Sequence, residues 1–141
     1  MTLFDIRTDA SDAWFVAHVN RGLEGEPGNP YSARFGPVGG PQWWASLDRG
    51  ELPIEVRTGT VTFAGPRIEE ATGEPEDVVE LVCGGETTTY DRVGCWVAPF
   101  RVGDRVSVTR TVAEVETRFG PMRYQFDLRA EWLPADVTGV A

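Results

Sequence analysis

Few residues of this chain are suited to acid–base chemistry, and they lie near its N-terminus. His18 is the only histidine and the two cysteines form no Cys-x-x-Cys pair, which disfavours a zinc site and a Ser-His-Asp triad. Glu26 can serve as a general base if its loop encloses a dry pocket, because burial raises the pKa of a carboxyl. Tyr31 can donate a hydrogen bond to a substrate carbonyl. The candidate catalytic residues are therefore Glu26, Tyr31 and His18, and we expect neither a metal nor a cofactor.

Each of these residues also has a structural interpretation. His18 lies on the apolar stripe of a predicted helix and can simply pack there, Glu26 can be solvated, and Tyr31 can fix its own loop. A second group of residues is suited to lining a pocket for an apolar substrate, with core packing as the alternative. These candidate substrate-binding residues are Asn29, Trp43, Trp44, Trp96 and Tyr124.

The composition indicates a soluble globular protein. With 141 residues, of which 41% are hydrophobic and 25% charged, a single domain over residues 1–141 is expected. No apolar run reaches the roughly 18 residues of a membrane helix, and no basic-then-apolar leader opens the sequence. We therefore expect a cytoplasmic protein that does not contact a membrane. The net charge of −9, with its cations spread along the chain, predicts no binding to nucleic acid.

Two helices are predicted in the N-terminal third, over residues 12–21 and over residues 42–52. The second carries Trp43 and Trp44 toward the core. Between the helices, residues 22–42 contain six glycines and four prolines, which predicts a long irregular loop. Such a loop is either functional or a plain surface crossover.

The remainder of the chain has the pattern of strands. Apolar and polar residues alternate without a break over residues 122–132, which predicts a strand with one face on the core. A long strand over residues 106–117 precedes it, and its change of phase predicts a bulge near residues 111–113.

The pair Gly84-Gly85 predicts a two-residue hairpin turn. Such a turn pairs Cys83 with Glu86, and it leaves Cys83 away from Cys95, which disfavours a disulfide. In the same register Val79 lies opposite Tyr90.

These patterns together predict a β-dominated α+β fold. Two N-terminal helices are expected to pack on a curved antiparallel sheet of about five strands. Closure of that sheet into a small β-barrel is one alternative.

The turn and strands over residues 99–131 resemble those of MaoC-like proteins, the hot-dog-fold hydratases and dehydratases that act on acyl thioesters. In that family a Pro-hydrophobic-x-x-Gly-Asp segment, here Pro-Phe-Arg-Val-Gly-Asp, leads into a long strand, a glycine-containing turn and a second long strand. The second strand often ends near a glutamate, as it does here at Glu131. The resemblance implies a hot-dog-like form of the sheet and a homo- or heterodimer.

A second likeness lies in the glycine-rich segment. Residues 25–32, Gly-Glu-Pro-Gly-Asn-Pro-Tyr-Ser, are similar to the family's hydratase motif Gly-Asp-x-Asn-Pro-hydrophobic-His, with one residue inserted before the asparagine. The family's catalytic aspartate then falls on Glu26 or Pro27, and its histidine on Tyr31 or Ser32. Because no histidine stands there, the resemblance implies a specialised relative or a non-catalytic partner subunit.

Three functions follow from these observations. The first is a hot-dog-like protein that binds an acyl thioester or a similar small apolar substrate, as a hydratase or dehydratase or as the partner subunit of one. The second is a small β-barrel that encloses a hydrophobic ligand, as a cyclase or carrier of specialised metabolism. The third is an acidic interaction module of the immunity or inhibitor type. The sequence leaves open whether the chain is an enzyme.

Overall fold

The computed structural model describes residues 1–8, 20–21 and 29–135 of the chain. Its helices are α1 (Pro30–Phe35) and α2 (Pro41–Asp48), and its strands are β1 (Thr2–Asp5), β2 (Ile54–Ile68), β3 (Pro75–Cys83), β4 (Glu86–Asp91), β5 (Arg105–Thr117) and β6 (Gly120–Leu133). A 3-10 turn covers Gly94–Val97. The helix predicted over residues 12–21 lies outside the described residues, except for Asn20 and Arg21, which are helical.

The strands form one open antiparallel sheet in the order β1-β6-β5-β2-β3-β4. The predicted β-dominated α+β fold is confirmed, although the short N-terminal strand raises the strand number from about five to six. Closure into a small β-barrel is wrong, since β1 and β4 lie at the two edges of the sheet. These edge strands have only four and six residues, and so they offer few backbone groups for a closing pair.

Helix α1 lies within residues 22–42, so the prediction of a continuous irregular loop is wrong for this part of the segment. Asn29 caps the helix, because its Oδ1 accepts the N–H of Tyr31 at 2.9 Å and that of Ser32 at 3.3 Å. Pro30 takes the first helical position, where no N–H is needed. The helix ends at Gly36, whose φ is +75° and where an added Cβ would lie 2.9 Å from Gln42 Oε1.

Helix α2 is shorter than the predicted 42–52, because the chain closes it with a glycine turn. The N–H of Gly50, at a φ of +77°, donates to the carbonyl of Leu47 at 3.1 Å. The N–H of Glu51 donates to the carbonyl of Ser46 at 2.9 Å. Trp43 and Leu47 point into the core from this helix.

The hairpin of β3 and β4 has the predicted register. Cys83 lies opposite Glu86 and Val79 lies opposite Tyr90. Gly84 and Gly85 have φ values of +57° and +86°, the left-handed pair that a type I′ turn requires. Neither cysteine is part of a disulfide.

Strands β5 and β6 also follow the predicted pattern. Along β6 the buried positions alternate up to Trp132, whereas Met122, at the other end, is exposed. Along β5 the buried positions change phase between Arg110 and Thr111, one residue before the predicted site of the bulge. This change of phase is confirmed.

The chain divides into two compact units. Unit 1 comprises Met1–Leu3, Arg57–Val108 and the described part of Ala130–Ala141, and unit 2 comprises Thr109–Arg129 and the described part of Phe4–Val56. The expected single domain over residues 1–141 remains a prediction.

Unit 2 has a core in which both helices pack on the strands. The side chains of α1 and α2 share one buried apolar cluster with those of β5 and β6. The buried members of this core are Ile6, Tyr31, Phe35, Val38, Trp43, Leu47, Leu52, Ala113, Val115 and Leu128. Phe4, Trp44, Tyr124 and Phe126 are half-buried at its border.

Candidate functional site

Asn29 joins the glycine-rich segment to strand β6. While its Oδ1 caps helix α1, its Nδ2 approaches the hydroxyl of Tyr124 at 3.5 Å. Asn29 is buried and Tyr124 is half-buried. Two residues that the sequence singled out separately therefore meet in unit 2, 95 positions apart in the chain.

Tyr31 lies beneath this contact with none of its surface exposed to solvent. Its hydroxyl oxygen accepts the indole N–H of Trp43 at 2.8 Å. Burial raises the pKa of Tyr31 to about 12, and the hydrogen bond from Trp43 opposes that rise only in part. The phenol therefore stays protonated at neutral pH, and in this structure a substrate has no access to it. The geometry makes Tyr31 a core residue in this structure, and a catalytic role for it remains a prediction.

An aromatic cluster surrounds Tyr31. Its ring centroid lies 5.0 Å from those of Phe35 and Tyr124, and 5.3 Å from that of Phe126. The rings are tilted or edge-on, the arrangements that aromatic pairs prefer. Because Tyr124 and Phe126 are only half-buried, the cluster presents an apolar surface that carries one phenol hydroxyl.

The tryptophan pair of α2 belongs to the same core as this cluster. Trp43 is buried and its ring meets that of Trp44 edge-on at 4.8 Å. Trp44 is half-buried, with the guanidinium of Arg7 4.6 Å above its ring. The structure thus brings together five of the predicted site residues in unit 2: Asn29, Tyr31, Trp43, Trp44 and Tyr124.

Trp96 belongs to unit 1 and has different aromatic partners. It stacks on Tyr90 at 4.0 Å with an interplanar angle of 13°, and its ring lies 6.1 Å from that of Phe100. Phe100 in turn meets Trp132 edge-on at 5.2 Å. This row attaches residues 92–104 to the sheet, so the contacts of Trp96 are those of a packing residue.

His18 and Glu26 lie outside the described residues. The described residues nearest to them in the sequence are Asn20 and Asn29, and both belong to unit 2. The side chain of Asn20 accepts the N–H of Val38 and donates to its carbonyl, both at 2.8 Å. Catalytic roles for His18 and Glu26 therefore remain predictions.

Asp104, in the Gly-Asp turn, is a carboxylate whose burial was not predicted from the sequence. It is 2% exposed and accepts three hydrogen bonds: the N–H of Arg101 at 2.8 Å, the indole N–H of Trp132 at 2.9 Å and the N–H of Ala135 at 2.7 Å. Burial raises its pKa, but these donors and the charge of Arg101 outweigh burial and lower the pKa below 3.8. All these partners are donors from unit 1, so Asp104 holds its turn and the C-terminal end of β6 in place.

Arg110 and Thr111 stand where β5 changes phase, and they are buried polar residues of unit 2. Arg110 is 8% exposed, and its Nε makes no hydrogen bond among the described residues, although Asp127 Oδ1 lies 3.8 Å away. The hydroxyl of Thr111, which is 1% exposed, also has no hydrogen-bond partner in the described part of the chain. The change of phase seen in the sequence is the signal that could have drawn attention to them.

Over the residues that the structure describes, no three His, Cys, Asp or Glu side chains are grouped as a metal site would need. Within the same ranges, none of the helices is both long and apolar enough to span a bilayer. Comparison of the sequence with protein-family models and with curated proteins finds no match.

Proposed function

We propose that the chain is a hot-dog-like protein that binds an acyl thioester, or a similar small apolar substrate, on the aromatic surface of unit 2. The contact between Asn29 and Tyr124 carries this proposal, because it joins the hydratase-like segment over residues 25–32 to the second strand of the resemblance over residues 99–131. An acyl thioester has an apolar chain and a carbonyl oxygen. The half-buried rings of Tyr124 and Phe126 suit the chain, and the Tyr124 hydroxyl suits the carbonyl.

The polar groups of this surface favour binding over proton transfer. Tyr31 is one of the two positions, with Ser32, where the resemblance places a catalytic histidine, and its hydroxyl is buried against Trp43. Turnover as a hydratase or dehydratase then depends on Glu26, three positions before Asn29. The buried hydroxyl of Tyr31 therefore favours a partner subunit that binds the thioester without turning it over.

Equilibrium binding of thioesters of increasing chain length tests the proposal. Acyl-pantetheine thioesters are the better probes, because they lack the phosphates of acyl-CoA and report on the acyl group alone. Each methylene that enters an apolar site is worth about 0.8 kcal/mol. The affinity is therefore expected to rise about fourfold for each methylene added to the acyl chain. Affinity that does not change with chain length, or no binding at all, would remove the proposal.

Turnover is tested separately with the Glu26→Gln variant. If the chain is a hydratase or dehydratase, this variant loses turnover while its thioester affinity is kept, since the amide retains the size of the carboxyl. If the chain is a non-catalytic subunit, the unmodified protein binds thioesters and shows no turnover.

A further inference from the structure

Strand β4 forms one edge of the sheet and has a neighbouring strand, β3, on one side only. Proteins usually protect such an edge from pairing with prolines, lysines or bulges. The six residues of β4 include neither proline nor lysine, and their register with β3 runs without a bulge. We infer that β4 is a docking site for an extended basic segment of a partner protein, which adds antiparallel to it as a further strand.

The register of the β3–β4 hairpin shows which backbone groups β4 leaves open. Cys83 and Glu86 flank the two-residue turn and so form a hydrogen-bonded pair, and such pairs recur at every second residue. The intervening Thr87 and Thr89 therefore direct their N–H and C=O groups away from β3. Neither threonine takes part in the main-chain hydrogen bonds that the described residues make outside the helices and strands. Two donors and two acceptors are thus open to an added strand.

Strand β4 is held in its extended form before a partner binds. At its far end the N–H of Val93 donates to the carbonyl of Asp91 at 2.9 Å, so the chain turns away from the edge there. The ring of Tyr90 stacks on that of Trp96 at 4.0 Å. A strand that is already ordered loses little entropy on docking.

The hairpin is acidic, so charge complementarity favours a basic partner. Residues 75–91 contain no lysine or arginine and five acids, Glu76, Asp77, Glu80, Glu86 and Asp91. Arginines from outside the hairpin pair with the first four. Asp91 is exposed and has no ion pair among the described residues. A cation beside Asp91 is therefore stabilised, whereas a second copy of the chain would bring another acidic hairpin to the same edge.

The two faces of β4 determine how the residues of the partner alternate. Tyr90 lies opposite the buried Val79, so one face is apolar. Thr89 lies opposite Glu80, and Asp91 is on the same face as Thr89. Residues directly opposite each other in adjacent strands share a face. The segment that fits therefore alternates basic residues, on the face of Asp91, with apolar residues, on the face of Tyr90.

The experiment adds the peptide acetyl-Lys-Val-Lys-Val-Lys-Val-amide to the unmodified chain. Calorimetry is expected to give a Kd between about 1 µM and 1 mM, the range of a short and mainly backbone contact. Amide hydrogen exchange, followed by NMR, locates the peptide. At saturation the amides of Thr87 and Thr89 are expected to exchange at least about tenfold more slowly. The amide of Thr88, which is bonded to β3 in the free protein, is expected to change less.

Two methylated peptides of equal charge separate strand addition from plain attraction to an acidic protein. In an antiparallel addition the lysine N–H groups point at β4 and the valine N–H groups point to solvent. N-methylation of the lysines is therefore expected to weaken binding at least about tenfold, and N-methylation of the valines to change it less than about twofold.

A pair of variants tests the role of charge. Asp91→Asn is expected to weaken binding about two- to fivefold, as removal of one exposed ion pair does. Glu114→Gln, which removes one exposed acid from unit 2, is the matched control and is expected to bind as the unmodified chain does.

No binding at up to about 1 mM peptide, or equal affinity of the two methylated peptides, would overturn the inference. Protection that appears elsewhere in the chain but not at Thr87 and Thr89 would do the same. Protection of these two amides that grows with the concentration of the chain alone would mean that a second copy covers the edge, and the inference would be wrong.

Discussion

The side-chain amide of Asn29 and the phenol of Tyr124 lie 3.5 Å apart in unit 2, although 95 positions separate them in the chain. Asn29 is fixed by capping helix α1, and Tyr124 is fixed by strand β6 and by its ring contact with Tyr31. A cap, a strand and an aromatic core therefore set the position of one half-buried hydroxyl on an apolar surface. We propose that this surface holds an apolar substrate by its carbonyl.

Tyr31→Phe tests the role of the buried phenol as an acceptor. The substitution leaves the indole N–H of Trp43 without its partner in a buried site, which costs about 1–3 kcal/mol of the free energy of unfolding. Urea unfolding measures the loss, and Tyr124→Phe, at a half-buried hydroxyl with a long contact of 3.5 Å, is the matched control. Equal stability of Tyr31→Phe and the unmodified chain would show that the bond contributes nothing.

The same phenol predicts a loss of stability in alkali. In the unfolded chain Tyr31 ionises near its usual pKa of 10.0, whereas in the folded state its pKa is about 12. Between these values the unfolded state has lost a proton that the folded state retains, so the free energy of unfolding falls as the pH rises. Below pH 10 this contribution is fully present. Unfolding measured from pH 8 to 12 should show the fall, and Tyr31→Phe should reduce it.

Asp104 predicts the opposite dependence in acid. Its folded pKa lies below the ordinary 3.8, so its contribution is present above that value and is lost as the pH falls through the folded pKa. Asp104→Asn replaces an acceptor of three hydrogen bonds with a group that also donates, and should cost about 2–4 kcal/mol at neutral pH. Asp48→Asn is the control, because its ion pair with Arg7 is exposed to solvent and contributes little to stability. Similar losses in both variants would contradict this account of Asp104.

Thr111→Val predicts a gain in stability. The substitution keeps the shape of the side chain and removes a buried hydroxyl that has no hydrogen-bond partner within the described ranges. The free energy of unfolding should rise by about 1 kcal/mol, whereas Thr109→Val, at a half-buried position, should change it less. A loss of stability in Thr111→Val would mean that the hydroxyl is bound to a partner in solution.

Features that depend on a few neighbouring residues could be predicted from the sequence. The alternation along β6 and the pair Gly84-Gly85 each determine their backbone locally, and the hairpin register followed from the turn alone. Helix α1 was missed because the surrounding glycines and prolines outweighed a local signal. That signal was Asn29 followed by Pro30, a cap and a first-turn proline, which together favour the start of a helix.

Features that depend on distant residues could not be predicted in this way. The buried state of Asp104 requires donors from residues 101, 132 and 135, and no periodicity relates them. The bond between Trp43 and Tyr31 joins two different helices, so the burial of Tyr31 could not be predicted from its neighbours in the sequence. Five of the eight candidate site residues nevertheless meet in unit 2, since aromatic residues that suit a pocket also suit a core.

The most direct measurement is the affinity of an acyl-pantetheine thioester for the unmodified chain, Tyr124→Phe and Tyr90→Phe, by isothermal titration calorimetry. If the Tyr124 hydroxyl binds the thioester carbonyl, its removal costs about 0.5–1.5 kcal/mol and weakens binding about two- to tenfold. Tyr90→Phe, in unit 1, should bind as the unmodified chain does. Equal affinity for all three proteins would contradict a site at Tyr124, and no binding to any of them would contradict the proposed function.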